Sequence, residues 1–184
     1  MANTASPRHA NNAYLLRFLL AACIVMLGAC TTTKPDDKIH PVVEYIVVRH
    51  AEKGTDDARD PSLSETGSAR AHALARLLAG TPLDAVYATG YKRTQQTARP
   101  AASARGLAVT TYDAELPAAT FVAQLRAAHA KGAVLIVGHS NTVPEIVSAL
   151  SGQTVEPMPE TAFDRLYRVS IDSNGAVTLI QEKY

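Results

Sequence analysis

A chain of 184 residues, nearly half of them apolar, can bury one core of ordinary domain size. Its formal net charge of +1 and its lack of a basic tract exclude a general nucleic-acid binder, and a chain without tryptophan has little to offer as a base-stacking or carbohydrate platform. Both cysteines, Cys23 and Cys30, fall near the amino terminus, so the rest of the chain has no thiol for a disulfide, a zinc site or a nucleophile.

The first segment reads as a targeting signal. Arg8 and Arg17 precede the apolar run Phe18-Leu19-Leu20-Ala21-Ala22-Cys23-Ile24-Val25-Met26-Leu27, which is short for a membrane span. It ends in Leu27-Gly28-Ala29-Cys30, which resembles the bacterial lipoprotein cleavage box. The resemblance implies a signal peptide over 1–29 and lipidation of Cys30. Several acyl chains there would anchor the protein to a membrane. Thr31, rather than an aspartate, follows Cys30, which by the same resemblance favours the outer membrane and places the domain on the periplasmic side. Residues 30–41, with Pro35, Asp36, Asp37 and Lys38, read as a polar tether.

From residue 42 onward, strand and helix patterns alternate. Val42 to Val48 is a short run rich in β-branched residues, the signature of a buried strand, and it ends in Arg49-His50-Ala51-Glu52-Lys53. Ser64-Glu65 predicts the cap of a helix to about Ala79, with Leu74, Leu77 and Leu78 on its inner face and Gly80 as its stop. Ala85 to Ala88 predicts a short strand, and Lys92 to Ala104 a helix with Pro100 disturbing its middle. Leu107 to Tyr112 alternates as a strand. Pro117 opens a helix carrying Phe121, Val122 and Leu125 and ending at Gly132. Ala133 to Val137 is a second buried strand, ending in Gly138-His139-Ser140-Asn141. A helix from Val143 to Leu150 follows, with Thr142 as its cap. Leu166 to Ile171 and Ala176 to Ile180 flank Asp172-Ser173-Asn174-Gly175, a hairpin signal. The pattern predicts a single α/β domain over 42–184. Its architecture is a three-layer α/β/α sandwich, with a mainly parallel sheet and an antiparallel edge hairpin.

Ligands bind at the carboxyl ends of strands in such sheets. Three segments stand there: Arg49-His50, Thr89 to Thr97 and Gly138-His139-Ser140. Arg93, in the first turn of its helix, can turn back toward the two histidines. Two arginines beside two histidines suit a phosphate dianion, because guanidinium forks match phosphate oxygens and each hydrogen bond to a charged group contributes about 1.5–3 kcal/mol. A lone histidine after a strand is commonly structural, and His72 and His129 are read that way. Lys92 and Lys53 are read as solvated, with Lys53 able to broaden the positive rim, and Ser140 and Asn141 as shaping a turn. Gly138 fits a site of close backbone approach.

Arg-His-Ala-Glu-Lys after a first strand, Pro61-Ser62-Leu63-Ser64-Glu65-Thr66-Gly67 before the first helix, Arg93 within Lys-Arg-Thr-Gln-Gln-Thr-Ala, and Gly-His-Ser after a later strand together resemble the histidine phosphatase superfamily, also called phosphoglycerate mutase-like. The resemblance spans Val42 to Tyr184. It implies that His50 attacks phosphorus and carries a transient phosphoryl group. Arg49, Arg93 and His139 would bind the phosphoryl oxygens and stabilise the transition state. It also implies a carboxylic proton donor between the middle motif and the second histidine. Glu115 is the assignment, with Asp113 and Glu52 as rivals. No metal or other cofactor is expected, since the arginines supply the positive charge.

The expected activity is therefore hydrolysis of phosphomonoesters or related phosphoryl compounds, with a phosphorylated small molecule or a phosphoprotein as substrate. A phosphohistidine protein phosphatase is the alternative enzyme, motivated by a domain too compact for a large substrate cap. A tethered protein that binds a phosphorylated ligand without turnover is the non-enzymatic alternative, and the presence of all four pocket residues argues against it. Gly138-His139-Ser140-Asn141-Thr142 also partly resembles a hydrolase nucleophile elbow. A triad of that kind needs a histidine after the serine, and none follows His139. Nothing in the sequence sets an oligomeric state.

Overall fold

The computed structural model of the protein describes residues 42–184, together with Met1. The expected signal peptide (1–29), the tether (30–41) and Cys30 lie outside the described residues. The sheet is six-stranded and the α/β expectation holds. Strand β1 (Val43–Arg49) is followed by helix α1 (Glu65–Leu77), strand β2 (Leu83–Thr89) and helix α2 (Lys92–Ser103). Then come strand β3 (Val109–Tyr112), helix α3 (Ala118–Ala128), strand β4 (Gly132–Gly138) and helix α4 (Thr142–Ser151), with the hairpin β5 (Arg165–Ile171) and β6 (Val177–Lys183) last. The strand order is β3-β2-β4-β1-β5-β6. The first four of these strands run parallel, and β5 and β6 add antiparallel pairings at one edge.

The central strands are apolar on both sides because both faces are covered. Along β1, Tyr45 and Val47 pack with Phe121, Leu125, Ile146 and Leu150 of α3 and α4. Ile46 and Val48 point the opposite way and pack with Leu74 of α1 and Ala98 and Ala102 of α2. The period of two in a strand thus feeds two cores from one run. Each fully buried aliphatic side chain contributes about 1.5–3 kcal/mol, so the continuous runs in β1 and β4 anchor the sheet.

Several local expectations are corrected. Leu77 is 42% exposed, whereas Leu74 and Leu78 are buried, because α1 gives way to a 3₁₀ turn over Leu78–Gly80. Pro100 lies inside α2 without ending it. The burial of Ala98, Ala101 and Ala102 holds that helix through the missing N–H. Gly132 opens β4 in a left-handed conformation (φ 86°), and α3 stops earlier, at Ala128. Thr142 does not cap α4: Asn141 occupies the N-cap position, and the Thr142 hydroxyl accepts from the backbone N–H of His139 instead, at 3.0 Å. Ser64 does cap α1, accepting from Gly67 N–H at 3.1 Å.

Candidate active site

Strand register brings the two histidines together. Parallel β1 and β4 are paired up to Arg49 and Gly138, and the next backbone bond runs from His50 N–H to the Gly138 carbonyl at 2.9 Å. His50 and His139 therefore leave adjacent strand ends side by side, with ring centroids 5.4 Å apart in an edge-to-face arrangement. Gly138 permits this, since a Cβ there would lie 2.9 Å from Thr142 Oγ1 and 3.0 Å from the Tyr112 hydroxyl. A cavity of about 330 Å³ opens over these ends. Arg49, His50, Arg93, Glu115 and His139 all line it, so every side chain assigned to the pocket from the sequence is there. Lys53, Tyr91 and Glu160 line it as well.

Each ring is held from behind. His50 Nδ1 lies 2.8 Å from the Ala51 carbonyl, which can only accept, so Nδ1 carries the proton and Nε2 keeps its lone pair. The Ala51 N–H donates to Thr97 Oγ1 at 3.0 Å, pinning this turn to α2. His139 Nε2 lies 3.0 Å from Thr89 Oγ1, which is itself 2.8 Å from Thr94 Oγ1. The Thr94 hydroxyl reaches the carbonyls of Tyr91 and Thr89 at 2.8 and 3.0 Å. With Thr94 donating to a carbonyl and Thr89 to Thr94, His139 donates through Nε2, and Nδ1 is its remaining ring nitrogen.

The electrostatics keep both rings neutral. Burial is the largest influence on His50 and pushes its pKa down to about 3, with His139, Arg49 and Arg93 adding to the effect against the Ala51 hydrogen bond. His139 is lowered to about 4, again first by burial and then by Arg93, Arg49 and Lys53. For His50, desolvation outweighs the neighbouring arginines.

Arg49 is buried and tied down. Its Nη1 donates to the carbonyls of Pro159, Glu160 and Ala162 at 3.2, 2.8 and 3.2 Å, and Nη2 donates to Glu160 Oε2 at 2.8 Å. The Phe163 ring lies 4.2 Å from its guanidinium carbon. Arg93 stacks on Tyr91 at 4.2 Å and stands 3.8 Å from Asp60. The Nε groups of both arginines are buried without a partner among the described residues, so both retain donor capacity.

The rival acids separate. Glu52 is engaged by Arg70, which donates to both carboxylate oxygens at 2.6–2.9 Å and holds its pKa below the usual range. Asp113 accepts from the Glu115 N–H at 2.9 Å and lies outside the cavity lining, whereas Glu115 is in it. His129 pairs with Tyr87 at 2.8 Å and His72 is exposed; neither reaches the pocket.

Sequence reading placed the Thr89 to Thr97 segment at a strand end but gave Thr89 and Tyr91 no role of their own, and it did not name Glu160. Thr89 ends β2 just as Arg49 ends β1, so its strand-end position was a usable signal. Glu160 had none, because it arrives from a loop without regular structure after α4.

This arrangement defines a compact anion pocket of cations and neutral imidazoles at the carboxyl end of a mainly parallel sheet. Residues 45–116 match the model of the histidine phosphatase superfamily (branch 1). Solved structures share the fold. The protein histidine phosphatase SixA, solved with tungstate, aligns with a TM-score of 0.60 at 21% identity, covering 76% of this chain and 96% of that one. A phosphoserine phosphatase from Entamoeba histolytica, solved with 3-phosphoglyceric acid, gives 0.58 at 12% identity over 77% and 97%. A mycobacterial glucosyl-3-phosphoglycerate phosphatase gives 0.59 at 15% identity over 77% and 97%. No curated protein matches the chain.

Proposed function

We propose that the protein is a metal-independent phosphatase that hydrolyses phosphomonoesters or related phosphoryl compounds through a phosphohistidine on His50. The observation that carries this reading is the protonation pattern of His50: Nδ1–H donates to Ala51, and Nε2 is unprotonated near neutral pH because burial holds the pKa at about 3. Nε2 attacks phosphorus as the bond to the leaving-group oxygen breaks, and Glu115 protonates that oxygen. Water, deprotonated by the Glu115 carboxylate, then attacks the phosphohistidine and restores Nε2 with release of phosphate. Arg49, Arg93 and His139 hold the phosphoryl oxygens throughout. A dianion bound there favours the protonated form of His139, adding a cation where charge accumulates.

A second enzymatic reading, a phosphohistidine protein phosphatase, is favoured by the open setting of the pocket and by the fold shared with the protein histidine phosphatase SixA. A phosphoramidate nitrogen leaves already protonated and makes less demand on Glu115. On the sequence signal, the domain is carried on a tether lipidated at Cys30 at the periplasmic side of a membrane, the outer membrane being favoured. Mass spectrometry of the mature protein tests this, and an unmodified Cys30 overturns it.

Hydrolysis of an aryl phosphate and of a phosphoramidate, by the wild type beside His50→Ala, tests the function. Hydrolysis abolished by the substitution supports it; equal rates refute it. A phosphoramidate preference insensitive to Glu115→Gln selects the second reading.

A further inference from the structure

Beside the phosphate pocket runs a second, larger cavity of about 770 Å³. The first turn of α3, one face of α4 and the loop after α4 enclose it, through Ala118, Pro144, Ala149, Val155, Pro157 and Met158. It adjoins the phosphate pocket, with Ser140, Asn141 and Glu160 lining both. Its walls are mainly apolar, and Met158 supplies an adaptable surface. Among the described residues, the charged side chains lining it are two carboxylates, Glu145 and Glu160, and no lysine, arginine or histidine lines it. The phosphate pocket next door carries Arg49, Arg93 and Lys53 beside Glu115 and the shared Glu160, which leaves its lining net positive. Charge therefore changes sign over the short path from one cavity to the other.

A phosphate seated by the arginines has its leaving group directed out of the pocket, and this groove is a large concave surface adjoining it. Its volume lies within the range of small-molecule sites, roughly 300–1,000 Å³. An anionic leaving group would meet Glu160 and Glu145, whereas an apolar one gains burial and a cation gains a counter-charge.

We propose that the groove is a leaving-group subsite. It selects small-molecule phosphomonoesters whose organic part is apolar and carries an ammonium or guanidinium group. The inference rests on the phosphatase reading above and adds the substrate class. Glu145, in the first turn of α4, lines the groove but not the phosphate pocket and is the specificity-determining residue, and Ala149 leaves the room that the apolar part occupies.

The test compares kcat/KM for three para-substituted phenyl phosphates bearing an ethyl, a 2-aminoethyl or a 2-carboxyethyl chain. The expected order is amino over ethyl over carboxy, with steps of about threefold, as suits partly exposed charge pairs. Glu145→Gln should move the amino-to-ethyl ratio toward one, and Ala149→Phe should erase the advantage of the ethyl compound over unsubstituted phenyl phosphate. Each ratio is taken within one variant, so a change in folded fraction cancels. Equal rates for the three compounds, a preference for the carboxylate, or ratios unmoved by Glu145→Gln overturn the subsite and leave the phosphatase reading standing. No hydrolysis of any of them, phenyl phosphate included, by the wild type removes the phosphatase reading and the subsite with it.

Discussion

Arg49 and Glu160, 111 residues apart in sequence, form an ion pair at the mouth of the phosphate pocket, Nη2 to Oε2 at 2.8 Å. The two partners differ in exposure: the Arg49 side chain is 2% exposed and that of Glu160 75%. Ser140 Oγ also donates to this carboxylate. The three carbonyls of the 159–162 loop fix Arg49 independently, so the Glu160 side chain is free to leave without releasing the arginine.

A phosphate dianion and the Glu160 carboxylate compete for the same guanidinium. Glu160→Ala is expected to lower KM for an aryl phosphate, and the inhibition constant for inorganic phosphate, by about threefold to tenfold, in line with removing one partly solvated like charge. Steady-state kinetics with phosphate as inhibitor measures both. A raised KM would show that Glu160 supports the pocket.

Protonation of the two histidines couples pH to stability. Their folded pKa values, about 3 for His50 and about 4 for His139, lie below the ordinary histidine value. Between roughly pH 6.5 and those values the unfolded chain binds protons that the folded chain does not. The contribution of the neutral rings is therefore complete above about pH 6.5 and is lost progressively as pH falls toward 4. Urea titrations from pH 7 to 4 should show stability falling, and His50→Asn should flatten the slope by about one proton. An unchanged slope would mean that His50 titrates normally.

Much of this site was legible because strand ends are legible. The apolar runs in β1 and β4 end in Arg49-His50 and Gly138-His139, and parallel pairing of those strands makes the ends neighbours. The cap at Ser64 and the hairpin turn at 172–176 were readable for the same reason: their chemistry is local. The 152–164 segment was not. Its contacts with Arg49 cross more than a hundred residues and follow no period, and its only local signal, Pro157 and Pro159, marks a loop without saying where it lands. Thr142 misled because its hydroxyl, a good cap in isolation, is recruited to hold the His139 backbone.

The leaving group decides how much Glu115 matters. Glu115→Gln should slow hydrolysis of an alkyl phosphate by about a hundredfold and that of a nitrophenyl phosphate far less, since general acid catalysis contributes typically 10²–10⁴-fold when the departing oxygen is basic. Rates across a series of leaving-group pKa values measure this. Equal losses along the series would remove Glu115 as the donor.

The central claim is that His50 Nε2 takes the phosphoryl group. Rapid quenching into alkali during turnover of an aryl phosphate, followed by peptide mass spectrometry, reads it directly. The expected result is an acid-labile phosphoryl adduct on the His50 peptide that forms and decays at rates consistent with kcat and is absent from His50→Ala. Turnover without such an adduct, or an adduct on His139 in its place, would contradict it.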